Sequence, residues 1–140
     1  MSHINYATGY KYQLLLDYVH DALFLHLNVP SEIETEFLWL GENGQLIVKQ
    51  GYAWDGPSGP TIDTKNFMRG SLVHDALYQL IREGHLSKNV WRNVADRELY
   101  RMVREDGMWW IRAQFVYWAV RIFGNPSARS GGGHPIEQAP

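Results

Sequence analysis

The sequence predicts an α+β fold, with an N-terminal antiparallel β-meander or hairpins packed with three C-terminal α-helices. Short aromatic or β-branched runs separated by polar breaks fill residues 10–54, and such runs are typical of strands. From residue 67 onward the apolar residues recur with the helical period of about 3.6. The intervening residues 55–66, "DGPSGPTIDTKN", are rich in Gly, Pro, Ser, Thr and Asp, as loops are. Strands followed by helices favour the α+β class.

The strand candidates are "YKYQLLLDYV", "ALFLHLNV", "EFLWL" and "QLIVKQGYAW". Among them, "EFLWL-GENG-QLIVKQ" is typical of a hairpin, because two glycines flank its turn. The stretch "NVPSEIETEF" is expected to be a connection, in which Pro30 and Ser31 could start a short helical turn.

Three helices are expected after the loop. The first, "NFMRGSLVHDALYQLIREG", ends at Gly84, and the second covers residues 87–105. The apolar face of the first comprises Val73, Ala76, Leu77, Leu80 and Ile81, and that of the second comprises Trp91, Val94, Ala95, Leu99 and Met102. The third, "MWWIRAQFVYWAVRIFG", is apolar nearly all round, which favours a buried closing helix, with an interfacial helix as the alternative. Its length and its polar residues argue against a membrane span.

Size and composition predict one globular domain over residues 1–124, comprising a β part (10–54), a site loop (55–66) and a helical part (67–124). Residues 125–140 lack periodicity and are expected to form a flexible tail. The net charge of −2 without a basic run argues against a nucleic-acid partner. Since the chain has no cysteine, any metal must use oxygen or imidazole ligands. No signal peptide is recognisable, which predicts a cytoplasmic location.

A His-Asp pair stands out in "LVHDALYQ". On a helix, His74 and Tyr78 lie side by side at the edge of the apolar stripe, which predicts a half-buried His74, whereas Asp75 points to the other flank. A histidine can act as a general base when a buried carboxylate holds its other ring nitrogen, and Asp96 on the second helix is placed for that role. Asp75 could then bind a cation together with loop carbonyls, a mixture of ligands that calcium accepts.

The pattern "DGPSGP…HDALY…AD", over residues 52–100, resembles phospholipase A2, particularly its viral and bacterial versions. The resemblance implies that His74 activates water, that Asp75 is the side-chain calcium ligand, and that Tyr78 and Asp96 support His74. Its other implied calcium ligands are carbonyls near Trp54, Gly56 and Ser58, or the side chain of Asp55. The implied substrate is a phospholipid or another ester, with peripheral membrane contact.

A second resemblance covers nearly the whole chain and is to an uncharacterised family of small tailed-phage and prophage proteins. It is carried by Asp55, Gly56, Ser58, Pro60, His74, Asp75, Arg92, Ala95, Asp96 and "AVRIFG". It implies a viral source, a location in the host cytoplasm or the virion, and a phage or host protein as a possible partner. It leaves the chemistry open.

Three alternatives stay open at this point. Asp96 could form an ordinary ion pair with Arg92, one helical turn earlier. The site could belong to a metal-dependent phosphohydrolase that adds His85 to the His74, Asp75 and Asp96 set. The protein could also be a non-catalytic virion component or host-interaction protein, in which the polar cluster is structural and a Trp-rich surface binds the partner.

Overall fold

The computed structural model describes residues 6–7, 12–21, 29, 31–54 and 65–123. The chain divides into two compact units, and the boundary between them follows Asp55. The described residues up to Trp54 are all in the first unit and those from Lys65 are in the second. The boundary falls at the start of the predicted 55–66 loop. The tail, residues 125–140, lies outside the described residues.

The first unit consists of short antiparallel strands in two small sheets. The strands are β1 (Tyr6–Ala7), β2 (Tyr12–Leu14), β3 (Tyr18–His20), β4 (Ile33–Glu34), β5 (Leu38–Leu40), β6 (Leu46–Val48) and β7 (Ala53–Trp54). One sheet has the order β1-β2-β7 and the other has the order β3-β6-β5-β4. Together with three helices in the second unit, this arrangement confirms the α+β prediction.

The predicted hairpin is present as β5 and β6. Leu38 pairs with Val48 and Leu40 pairs with Leu46, and all four side chains are fully buried. Between these pairs, Trp39 and Ile47 are opposite each other and only half-buried, as expected when one face of a sheet is covered. The hairpin therefore follows the alternation in the sequence.

The stretch predicted as a connection instead contains strand β4, so the expected helical turn at Ser31 is wrong. Ile33 pairs with Leu40 at the sheet edge and is 7% exposed. A strand of two residues gives no alternation that a sequence pattern could reveal, and burial of Ile33 is what selects the extended backbone. Of the strand predicted in "ALFLHLNV", only Val29 is described.

The second unit contains α1 (Lys65–Arg82), α2 (Lys88–Glu105) and α3 (Trp110–Phe123). Helix α1 is buried nearly all round, since Asp75 alone among residues 67–81 is not buried. The predicted apolar face is buried, and so is nearly all of the rest of the helix surface. The chain leaves α1 through Gly84, whose φ of +86° fits the predicted stop.

Helices α1 and α2 approach closely at Gly70. A Cβ atom added there would lie 2.9 Å from Cδ1 of Leu99 and 3.2 Å from Cγ1 of Val103. At the end of α2, the buried Arg69 of α1 donates from Nε and Nη2 to the carboxylate of Asp106 at 2.9–3.3 Å. The glycine contact and this bidentate pair fix the register in which α1 and α2 pack, and so fix which side chains meet between them.

Helix α3 packs on α2 through one face, where Ala113 and Val116 join a core cluster with Leu99 and Val103. Its other side exposes several large apolar side chains, so the predicted buried closing helix is wrong. The sequence obscured this because α3 is apolar on both faces, whereas packing covers only one. Within the described ranges, no helix has the length and apolar character needed to cross a membrane.

Candidate active site

The centre of the candidate site is Asp96, a fully buried carboxylate on α2. Helix α1 brings His74 and Tyr78, which are four residues apart and therefore neighbours on one side of the helix. Their ring centroids are 4.2 Å apart, and their side chains point at the same carboxylate oxygen. His74 is 8% exposed, which is more buried than predicted, because α1 is enclosed on nearly all sides.

Three side chains from two helices bind the Asp96 carboxylate. Nε2 of His74 and the hydroxyl of Tyr78 each lie 2.7 Å from Oδ1. Nη1 of Arg121, on α3, donates to Oδ2 at 2.9 Å. The predicted contact between His74 and Asp96 is therefore present, and Tyr78 joins it.

Sequence reasoning missed the contribution of Arg121. Arg121 was predicted only as a polar residue of the third helix. A signal was nevertheless present, because an arginine within an almost wholly apolar helix needs a carboxylate partner where the helix packs. The sequence pattern did not reveal which side of α3 faces α2, so it could not assign the partner.

The alternative pairing of Asp96 with Arg92 is not formed. Nη2 of Arg92 donates instead to the carbonyl oxygens of Val120, at 3.4 Å, and of Arg121. These carbonyls belong to the last turn of α3, where the oxygens accept no hydrogen bond from the helix itself. The negative end of the helix dipole also attracts a cation there. Arg92 thus holds the C-terminal end of α3 beside the carboxylate that Arg121 binds.

Burial and hydrogen bonding act against each other on the two acidic groups of the site. Burial favours a raised pKa for Asp96, but the hydrogen bond and charge of His74, with the hydrogen bonds from Tyr78 and Arg121, lower the pKa below its usual value of 3.8. For Tyr78, burial and the adjacent Asp96 raise the pKa well above 10.0, while Arg92 opposes this. At neutral pH, Asp96 is therefore a carboxylate and Tyr78 a hydroxyl donor.

The acceptor at Nε2 decides what His74 can do. A carboxylate can only accept, so in neutral His74 the proton sits on Nε2 and the lone pair sits on Nδ1. Among the described residues, no side chain or backbone group bonds to Nδ1. About a tenth of the His74 side chain remains exposed. Nδ1 is thus available to accept a proton from water, as a general base requires.

The predicted calcium ligands are mostly beyond the described residues. Asp55, Gly56 and Ser58 lie in the 55–64 gap, and Trp54 is the buried last residue of β7. Asp75 is half-buried on α1 and has the carboxylate chemistry that calcium takes. In the described part of the chain, no group of three or more His, Asp or Glu side chains could hold a metal ion. The calcium site stays a prediction.

His85, which the phosphohydrolase alternative needs, lies beyond the end of α1. Its Nε2 is 3.8 Å from Oε1 of Glu83, and its side chain is 39% exposed. The side chains that contact the Asp96 carboxylate do not include it. The described residues therefore place one histidine, His74, at the site.

A family model described as "Protein of unknown function (DUF1353)" matches residues 31–120. The matched range includes His74, Tyr78, Arg92 and Asp96, and it ends one residue before Arg121. No curated protein and no solved structure matches the chain.

Proposed function

The chain belongs to the DUF1353 family, and from its site we propose that it is a hydrolase in which His74 acts as general base on water to cleave an ester. One observation carries the proposal. The fully buried carboxylate of Asp96 lies 2.7 Å from Nε2 of His74, which places the proton of the neutral ring on Nε2 and leaves the Nδ1 lone pair without a hydrogen bond to any described residue.

The reaction follows from that tautomer. Nδ1 of His74 takes a proton from water as the water oxygen attacks the ester carbonyl carbon, which forms a tetrahedral intermediate and an imidazolium. Asp96 stabilises the positive charge on the ring through the Nε2 hydrogen bond. When the intermediate collapses, the proton on Nδ1 passes to the departing alkoxide, so the products are a carboxylic acid and an alcohol.

Arg121 is the third donor to the Asp96 carboxylate. It binds Oδ2, the oxygen that His74 and Tyr78 leave open, so the carboxylate has donors on both oxygens. Its guanidinium also lowers the cost of keeping the carboxylate ionised without water. We assign to Arg121 the role of keeping Asp96 charged and fixed in position.

The finer proposal is a calcium-dependent phospholipase A2-like enzyme of phage origin, acting in the host cytoplasm or the virion. It is supported by the resemblance of "DGPSGP…HDALY…AD" and by the oxygen chemistry of Asp75. Asp75 would hold the ion together with carbonyls near Trp54, Gly56 and Ser58, or with the Asp55 side chain. A bound calcium ion would supply positive charge for the oxyanion of the ester.

The sharpest test is His74→Gln, because the Gln amide can still donate to Asp96 but cannot act as a base. We expect fatty-acid release from phospholipid vesicles to fall by roughly 10²–10⁴-fold. We expect the urea midpoint to stay near that of the wild type, and the matched control His85→Gln to keep full activity. Calorimetric titration with calcium should show binding that Asp75→Asn weakens.

The outcomes separate the two levels of the proposal. Release of product without calcium binding would refute the calcium site but would leave intact the proposal that His74 is the general base. A wild-type protein that releases no product from phospholipid or simple ester substrates, with or without calcium, at mildly acidic to mildly basic pH, would refute the hydrolase.

A non-catalytic interaction protein is the second candidate, because Asp96 has a donor for each oxygen and could serve as a purely structural junction between helices. The exposed aromatic side chains of α3 favour this candidate as well. If it is right, His74→Gln leaves partner binding unchanged, and no ester is cleaved by either protein.

A further inference from the structure

The turn of the β5–β6 hairpin carries a chemical feature that the proposed hydrolase site does not use. In this turn Asn43 is followed by Gly44, whereas every other asparagine in the sequence precedes a β-branched residue, an aromatic residue or proline. The backbone nitrogen of the following residue can attack the side-chain amide of an asparagine, which makes asparagine a thermolabile residue. The attack is least hindered when the following residue is glycine, because glycine has no Cβ atom.

The turn exposes the side chain of Asn43 and buries Gly44. Gly44 has a φ of +89°, a left-handed conformation that favours glycine. Its backbone N–H donates to the carbonyl oxygen of Gly41 at 2.9 Å. Oδ1 of Asn43 accepts from the backbone N–H of Gln45 at 3.1 Å. The attacking nitrogen and the side chain that it would attack are therefore each held by a hydrogen bond in the folded hairpin.

We propose that Asn43 is a deamidation site, with water as the reagent, and that it reacts when the β5–β6 turn opens. Hydroxide removes the proton of the Gly44 amide, and the nitrogen attacks Cγ of Asn43. The new C–N bond closes a succinimide ring. The bond from Cγ to the side-chain nitrogen then breaks, and that nitrogen takes a proton from water and leaves as ammonia. A further water molecule opens the ring at either carbonyl, which gives aspartate or isoaspartate.

Opening of the turn is required because the folded hairpin protects the proton that must leave. That proton lies in the hydrogen bond from Gly44 to Gly41, and Gly44 is buried. Local opening exposes such an amide in a fraction of molecules that is set by the free energy of the opening. Two backbone hydrogen bonds close the turn, from Gly44 to Gly41 and from Gly41 to Gln45. We expect them to slow the reaction at least about tenfold relative to an unfolded chain.

The isoaspartate product would disturb the pairing of the two strands. Isoaspartate continues the chain through its side-chain carbon, which adds a methylene to the backbone of the turn. The pair next to the turn, Leu40 with Leu46, is fully buried. The register of a hairpin is fixed by the length of its turn and by its buried face, so a longer turn displaces these side chains. Conversion to isoaspartate therefore destabilises the first unit, whereas aspartate at this position changes only an exposed side chain.

The first experiment incubates the wild-type protein at mildly alkaline pH, in buffer and in guanidinium chloride that unfolds both units. Peptide mass spectrometry measures the conversion of Asn43 to aspartate and isoaspartate. Asn89 is the internal control, because it is also exposed but precedes Val90. We expect Asn43 to react at least about tenfold faster in the unfolded chain than in the folded protein. We expect Asn89 to react far more slowly than Asn43 in the unfolded chain.

A variant tests whether opening of the turn controls the rate. The ring of Trp39 covers Gly41, where an added Cβ would lie 2.6 Å from Cη2 of the ring, and Trp39 is opposite Ile47 on the next strand. Trp39→Ala removes this cover and should speed the reaction of the folded protein about fivefold, through the loss of a cross-strand contact. Trp109→Ala is the matched control, since it alters an exposed tryptophan of the second unit, and it should leave the rate unchanged.

The proposal is overturned if Asn43 stays unconverted in the unfolded chain, or if it reacts as fast in the folded protein as in guanidinium chloride. A folded Trp39→Ala protein that reacts at the rate of Trp109→Ala would also overturn the control by turn opening. If Trp39→Ala does not fold, the two wild-type rates decide the question alone. None of these results depends on ester hydrolysis, so they are separate from the fate of the proposed activity.

Discussion

Replacing Asp96 with asparagine should destabilise the second unit severely. Asparagine keeps the shape of aspartate, but its NH₂ group would face a donor, either Arg121 or the pair formed by His74 and Tyr78. The guanidinium of Arg121 would also lose its counter-charge in a site where Asp96 is fully buried. Removing one member of a buried ion pair costs about 3–5 kcal/mol, several times the value of an exposed pair.

Urea denaturation at neutral pH is the assay. With an m-value of about 1–3 kcal/mol/M, the expected loss lowers the midpoint of the second unit by more than about 1 M. Glu83→Gln is the matched control: its carboxylate bonds to Gln79, its side chain is 43% exposed, and its loss should cost less than about 1 kcal/mol. If Asp96→Asn also costs less than about 1 kcal/mol, the carboxylate is hydrated and the buried network is not what stabilises the helices.

The same variant should change the acid limb of the stability curve. Since the pKa of Asp96 is lowered in the folded protein, its contribution is present above the usual value of 3.8. It is lost as the pH falls through the lowered pKa of the native state. Asp96→Asn should therefore flatten this part of the curve, and an unchanged acid limb would contradict the assignment.

Two further predictions concern α1. Because the pKa of Tyr78 is raised in the folded state, its contribution is present below 10.0 and is lost as the pH rises above that value. Tyr78→Phe should therefore cost about 1–3 kcal/mol at pH 7 and reduce the loss of stability at alkaline pH. Both effects are measured by urea denaturation. An unchanged loss of stability at alkaline pH would argue against a buried hydroxyl. Gly70→Ala should cost about 1–3 kcal/mol, since its Cβ would meet Leu99 and Val103, and a stabilised variant in thermal unfolding would show that the helices are not in close contact there.

The sequence predicts the structure correctly where a local pattern is compatible with only one conformation. The β5–β6 hairpin, the boundaries of α1 and α2, and the contact of His74 with Asp96 follow from alternation, helical period and the rule that a buried polar group needs a partner. Strand β4 was not predicted, because Ile33 is held in an extended conformation by pairing with Leu40 and not by a pattern in the residues next to it in sequence.

The sequence does not predict the direction of individual side chains where it depends on which side of an apolar helix is covered. Helix α3 has apolar residues in every direction, so its pattern fixed neither the exposure of Trp118 nor the inward direction of Arg121. That direction is set by the packing of Ala113 and Val116 on α2, a tertiary choice. The roles of Asp55, Gly56 and Ser58 stay predictions for a different reason, since they lie outside the described residues.

The binding of Asp96 by donors from two helices has a consequence for the order of events during synthesis. His74, Tyr78 and Asp96 leave the ribosome well before Arg121, so α1 and α2 can pair while the carboxylate still lacks its guanidinium. Only when α3 emerges and docks does the buried charge gain its cation, and Arg92 then gains the carbonyls at the end of that helix. A nascent chain that stops short of residue 121 therefore contains the complete His-Asp pair but leaves its carboxylate without a counter-charge.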